Sequence, residues 1–160
     1  MKTLETIADV LDRICGVLIV LMVALMVIFT TAQIICRTWF TSLTWAEEAT
    51  RFLLIWASFL GATCVYRHSG NIAVTFVQDL FSPALRRIVR ILVHAVCLLL
   101  FAVLFFYGIQ YCGKQVRFAA AIPIRMKYVY LCLPISMCVL AYHAFVLMLR
   151  EILRSKEVKA

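Results

Sequence analysis

Few residues of this sequence could carry chemistry, and the clearest group combines two carboxylates with one guanidinium. Glu47 lies four residues and Glu48 three residues before Arg51, so on a helix both carboxylates can reach the same guanidinium. In a purely structural interpretation, the two carboxylates complement the helix dipole and neutralise Arg51 at a membrane edge. As a functional feature, one of them would dock a partner helix, because two acids against one cation leave a charge to satisfy.

Two histidines form the second candidate group. His94 follows the start of one apolar run and His143 precedes the end of another, so in antiparallel helices the two rings share a depth. Two facing imidazoles could hold a b-type haem, whereas a satisfied interfacial histidine is the structural alternative. The seven cysteines contain no Cys-x-x-Cys pair and no His/Cys spacing typical of zinc, so we expect no metal site.

These residues are positioned by long apolar runs. The chain is 65% hydrophobic and 15% charged, against about 45–50% and 25% in soluble domains, which excludes a water-soluble globule. The run at 52–66 is too short to cross a bilayer, but a Thr44-x-x-Glu47 capping box would start its helix at Trp45. We predict one all-α membrane domain over 1–160, with four spans at about 14–36, 45–66, 88–112 and 128–149.

The segments between the spans predict orientation and lipid contacts. Amphipathic patterns indicate interfacial helices at about 3–12 and 72–81. Ten of the 16 Lys and Arg residues flank the side that holds both termini, which predicts cytoplasmic termini. Three of these cations, Arg86, Arg87 and Arg90, are expected to contact lipid headgroups. Since the basic residues flank apolar runs and form no basic domain, we expect no nucleic-acid binding.

The apolar runs lack the groups that drive coupled transport. All eight acids lie outside them, and ion-coupled transporters need ionisable or unwound polar groups near the midplane. We therefore expect a chain that is not an enzyme and does not couple an ion gradient to a solute by itself. Small residues on the second span permit close helix packing, with a partner or within the chain: Ala57, Ser58, Gly61 and Ala62.

Three motifs follow one another along the chain: Trp45-x-Glu47-Glu48-x-x-Arg51, then Trp56 with Phe59-x-Gly61-Ala62, then Gly70-Asn71-Ile72-x-Val74. Pro123, Tyr128 and Pro134 follow at the entry to the last span. In this order the motifs resemble the small membrane subunit of tripartite ATP-independent periplasmic (TRAP) transporters. Asn71 replaces the usual histidine, and Arg125-Met126-Lys127 stands where aromatic residues are common.

The resemblance implies a division of labour in the bacterial inner membrane. A periplasmic binding protein captures a carboxylate-bearing solute, and a large multi-span subunit moves it by a sodium-driven elevator motion. The small multi-pass subunit associates with the static scaffold of the large one and needs no cofactor. The expected partner-binding residues are Trp45, Glu47, Glu48, Arg51, Ala57, Ser58, Gly61 and Ala62. Candidate contacts with the binding protein are Arg37, Lys114 and Arg117.

Two other functions stay open on the residues alone. One is a haem-binding electron carrier that uses His94 and His143, which a Soret absorbance band would reveal. The other is a self-sufficient channel or exporter, which predicts solute flux through the isolated chain.

Overall fold

The computed structural model describes residues 2–39, 43–69 and 83–157, and most of them are helical. The described residues form four long helices and one short one: α1 (Lys2–Trp39), α2 (Thr44–Ser69), α3 (Pro83–Lys114), α4 (Met126–Tyr130) and α5 (Cys132–Glu157). Four segments are long and apolar enough to cross a membrane: Thr3–Trp39, Thr44–His68, Ile88–Lys114 and Met126–Leu153. The described residues confirm the prediction of an all-α chain with four helices long and apolar enough to span a membrane, and the orientation of the termini stays a prediction.

The first helix is longer than its apolar run. With 38 residues it extends about 57 Å at 1.5 Å per residue, against a hydrocarbon layer of about 30 Å. No helix boundary separates the amphipathic segment 3–12 from the span that follows. Its position at the membrane surface stays a prediction, and the second predicted interfacial helix, 72–81, lies outside the described residues.

The second helix begins at Thr44, one residue before the predicted start at Trp45, and its first turn is capped differently from the prediction. The amides of Ala46 and Glu47 donate to the carbonyl of Leu43, at 3.1 and 3.4 Å. The amide of Glu47 is therefore engaged by backbone, and the expected bond to the Thr44 hydroxyl is absent among the described hydrogen bonds. Backbone hydrogen bonds replace the predicted capping box.

The last span contains a local break ahead of its proline. Pro134 has no amide to donate to the carbonyl of Tyr130. The helical segments α4 and α5 are separated by Leu131, whose amide donates to the carbonyl of Lys127 at 3.1 Å.

The helices pack as two antiparallel pairs joined through α5. α1 lies along α2, α3 lies along α5, and α2 and α1 both contact α5. The central position of α5 gives it more buried apolar residues than any other described helix, namely Cys132, Met137, Leu140, Ala144 and Val146. The outer faces of α1 and α3 remain apolar and exposed, with Val20 at 69% and Leu99 at 67%, as expected for surfaces that meet lipid or another subunit.

Candidate functional site

The polar residues gather at two ends of the bundle. The loop end comprises the last turn of α1, the first turns of α2, the last turn of α3 and the connection 115–125. The terminal end comprises the first turns of α1, the last turn of α2, residues 90–94 of α3 and the last turns of α5. The candidate site is built from these two ends and from the outer face of α2 between them.

At the loop end, Glu48 holds the connection between α3 and α4. Its carboxylate accepts hydrogen bonds from the amides of Ala120, Ala121 and Ile122, at 2.9, 2.6 and 3.1 Å. The same connection is closed by an isolated antiparallel bridge between Phe118 and Arg125. Three loop amides donate to this carboxylate within the chain, and a contact of Glu48 with a partner stays a prediction.

Glu47 and Arg51 form the remaining pair of that cluster. Their side chains are 3.6 Å apart and 63% and 66% exposed, respectively. Although either carboxylate could reach this guanidinium along the helix, Glu47 makes the ion pair and Glu48 turns to the loop. Glu47 and Arg51 are therefore the accessible ions of the predicted docking cluster.

The small residues of α2 divide between two faces. Ala57 is 9% exposed and packs inside the chain, which matches the intrachain alternative. Ser58 and Ala62 are exposed, and a side chain added at Gly61 would meet open space. Trp45, near the start of the same helix, is 46% exposed and packs edge-to-face on Phe29 of α1 at 5.9 Å.

The cations of the loop end differ in their surroundings. Arg125 lies 5.6 Å from the ring centre of Phe118. Lys114 and Arg117 instead line a cavity of about 600 Å³ beside the end of α3. Arg37, the third expected contact with a binding protein, lies in the last turn of α1 and does not line that cavity.

At the terminal end, Arg67 connects three helices. Its guanidinium pairs with Asp9 of α1 and donates to Nδ1 of His143 in α5, at 3.3 Å from Nη1. The neighbouring His68 places Nε2 3.7 Å from a carboxylate oxygen of Asp12. The first turns of α1 are thus fastened to the end of α2 by polar contacts that link residues more than 50 positions apart.

Two further ion pairs complete the terminal end. Arg90 of α3 lies 3.2 Å from Glu151 of α5, and both side chains are largely buried. Arg150 of α5 lies 4.0 Å from Glu5 of α1. The guanidinium of Arg90 faces this carboxylate inside the chain, and the predicted contact of Arg90 with headgroups stays a prediction. The side chains of Arg86 and Arg87 lie outside the described residues.

The two histidines lie at a similar depth, as the sequence predicts. The Tyr66 hydroxyl is 3.0 Å from Nδ1 of His94, and Arg67, the next residue of α2, reaches His143. Both rings are buried, at 4% and 1% exposure. Nδ1 of each imidazole has a hydrogen-bond partner on α2, whereas Nε2 of His143 is buried without a partner among the described residues. The contacts fit the structural alternative for Nδ1 only, and haem ligation stays a prediction that no contact here tests.

Comparison with known protein families gives a match over most of the chain. The family model of the tripartite ATP-independent periplasmic transporters, DctQ component, matches residues 26–154. The match runs from the middle of α1 into the last turns of α5 and confirms the resemblance drawn from the motifs. No curated protein matches this chain.

Proposed function

Because the chain belongs to the DctQ family, the small membrane component of TRAP transporters, we propose that it is a non-catalytic scaffold for the large transport subunit. In this proposal it lies in the bacterial inner membrane with both termini in the cytoplasm. A periplasmic binding protein delivers an organic carboxylate, and the large subunit couples its uptake to sodium. The excess of Lys and Arg beside the termini supports this orientation.

One observation carries the scaffold role: the charges lie at the two ends of the bundle, and the apolar runs between them contain no Asp, Glu, Lys or Arg. At the terminal end, Arg67, Arg90 and Arg150 pair with carboxylates of the same chain. A transporter that couples an ion to a solute needs ionisable or unwound groups near the midplane. This distribution of charges favours a chain that supports a moving subunit and does not itself transport the solute.

The outer face of α2 is the docking surface that we assign to the large subunit. Leu54 and Val65 are 52% and 60% exposed, and Ser58, Gly61 and Ala62 lie between them on the same side of the helix. Small residues let two membrane helices approach closely, and that approach supplies the van der Waals contact that drives association in lipid. At its loop end, the exposed Glu47 and Arg51 add polar partners to this face.

The docking surface is tested by a substitution that adds a side chain to it without a clash inside the chain. Gly61→Leu places a side chain in open space within the chain, but a partner helix would meet it. Overpacking a helix contact costs about 1–3 kcal/mol, so recovery of the large subunit with the tagged small subunit should drop by about fivefold or more. Gly16→Leu on α1 is the matched control, because a side chain there also meets open space.

A second variant tests the polar part of the same surface. Arg51→Glu places a third negative charge beside Glu47 and Glu48, and it should also reduce recovery of the large subunit. Arg125→Glu, on the loop of the same end, should leave recovery unchanged. If both Gly61→Leu and Arg51→Glu retain the large subunit fully, the proposed docking surface is wrong.

The remaining expected contacts follow from the orientation. The loop end would face the periplasm, where Arg37 is the candidate contact with the binding protein. Arg86 and Arg87 would face the cytoplasmic headgroups, which are the more anionic and favour Lys and Arg beside the membrane.

A further inference from the structure

Two cavities meet at the last turn of α3. The first, of about 600 Å³, is lined by Lys114 and Arg117 together with Tyr111 and Tyr130. The second, of about 340 Å³, is mainly apolar and includes Leu104 and Leu133 in its lining. Tyr111 and Lys114 line both cavities, so a basic space continues directly into an apolar one.

The basic cavity carries two positive charges that the described part of the chain does not neutralise. Within that part, no carboxylate lies within ion-pair distance of Lys114 or Arg117, whereas Arg51 and Arg90 each have one. Both cations are exposed. Two cations beside one cavity favour an anion that can accept hydrogen bonds from both.

The apolar cavity has the length of one lipid leaflet. Leu104 precedes Lys114 by ten residues, which is about 15 Å along the helix and about half of the hydrocarbon layer. Gly108 lies between them and is buried. A Cβ at this position would come within 3.0 Å of Leu133, so the absence of a side chain lets α3 and α5 approach closely at the base of this groove.

We propose that these cavities bind one anionic phospholipid of the leaflet at the loop end. The phosphate contacts Lys114 and Arg117, and one acyl chain lies in the groove between α3 and α5. The rings of Tyr111 and Tyr130, packed edge-to-face at 5.2 Å, mark the headgroup level, where aromatic residues are enriched. A soluble partner such as the binding protein could reach the two cations but not a groove at hydrocarbon depth.

Lipid retention by the full chain tests the proposal. The purified chain is stripped of lipid and mixed with equal amounts of phosphatidylglycerol and phosphatidylcholine that carry the same acyl chains, and bound lipid is counted by native mass spectrometry. Each cation near a headgroup should favour the anionic lipid about fivefold. The double substitution Lys114→Gln with Arg117→Gln should abolish that preference. Arg125→Gln is the control, because this exposed cation does not line either cavity.

A second pair of variants tests the groove. Leu104→Trp fills the apolar cavity and should reduce retention of both lipids, whereas Phe106→Trp, on an exposed side of the same helix, should reduce neither. Thermal unfolding of each variant checks that the chain still folds.

Three results would overturn the proposal. Equal retention of the two lipids by the unchanged chain would remove the anion preference. Displacement of phosphatidylglycerol by excess inorganic phosphate would indicate a site for a soluble anion. Unchanged lipid binding by the double variant, together with lost capture of the binding protein, would assign the two cations to a protein contact.

Discussion

The terminal end and the loop end of this bundle use their charges in different ways. At the terminal end, arginines meet carboxylates of other helices: Arg67 reaches Asp9 of α1, and Arg90 reaches Glu151. At the loop end, Glu48 is bound by three loop amides, while Lys114 and Arg117 stay exposed beside a cavity. The first arrangement fastens helices to one another, and the second leaves positive charge available to a ligand or partner.

This difference matters because apolar contact alone discriminates poorly between helix arrangements in lipid. Lipid tails are as apolar as the helix surfaces, so association depends on packing and interhelical hydrogen bonds. The described contacts of that kind between α1 and the rest of the chain lie mostly at the terminal end, at Asp9, Asp12 and Glu5. Variants at the two ends should therefore differ in their effect on stability.

The largest effect is expected for Arg67→Met. This change removes the ion pair with Asp9 and the donor to His143, and hydrogen bonds to charged groups contribute about 1.5–3 kcal/mol. Because the Asp9 side chain is 69% exposed, we expect a loss of about 2 kcal/mol, below the value for a fully buried pair. The free energy of unfolding is measured by titration with a denaturing detergent, followed by tryptophan fluorescence.

Arg13→Met is the control for that measurement. Arg13 lies on the same helix as Asp9 and is exposed, so its loss should change the free energy of unfolding by less than about 0.5 kcal/mol. Equal effects of the two substitutions would show that the ion pairs of the terminal end do not hold the helices together.

A smaller effect is expected for Glu48→Ala. The three loop amides lose their acceptor, but Ala120 and Ala121 are exposed and can bind water, so the cost is about 1 kcal/mol. The loop should open about fivefold more often. Limited trypsin digestion at Arg117 and Arg125 measures this opening, and an unchanged cleavage rate would contradict the anchoring role.

The smallest effect is expected for Glu47→Ala, which is the matched control for Glu48→Ala. Both side chains of the Glu47–Arg51 pair are more than half exposed, and exposed helix pairs contribute about 0.3–0.5 kcal/mol. Stability and loop cleavage should stay close to those of the unchanged chain. A loss as large as that of Glu48→Ala would mean that the two carboxylates share one role.

The four long apolar helices could be predicted from the sequence because their determinant is local. Transfer of an apolar run of about 20 residues into hydrocarbon dominates its placement, and the predicted 45–66 and 128–149 lie within the observed Thr44–His68 and Met126–Leu153. The observed helices are longer because polar residues continue the helix beyond the apolar run. The start of α2 differs from the prediction in its hydrogen bonding. The amide of Glu47 donates to the carbonyl of Leu43, whereas the capping box predicts the Thr44 hydroxyl as its acceptor.

The site could be predicted only where its partners are close in sequence. Glu47 and Arg51 are four residues apart on one helix, and their pair follows from helical spacing. Arg67 and Asp9 lie 58 positions apart, and their meeting depends on the register of two packed helices. The sequence did not predict that Glu48 anchors the loop. Its hydrogen-bond donors are backbone amides of the loop, and no pattern of side chains indicates where those amides lie.

Reconstitution of the purified chain tests the central claim most directly. The chain alone is placed in liposomes with an inward sodium gradient, and uptake of a labelled organic carboxylate is followed in the presence of the binding protein. We expect no accumulation above that of empty liposomes, and accumulation once the large subunit is included. Uphill accumulation by the small chain alone would contradict the scaffold role.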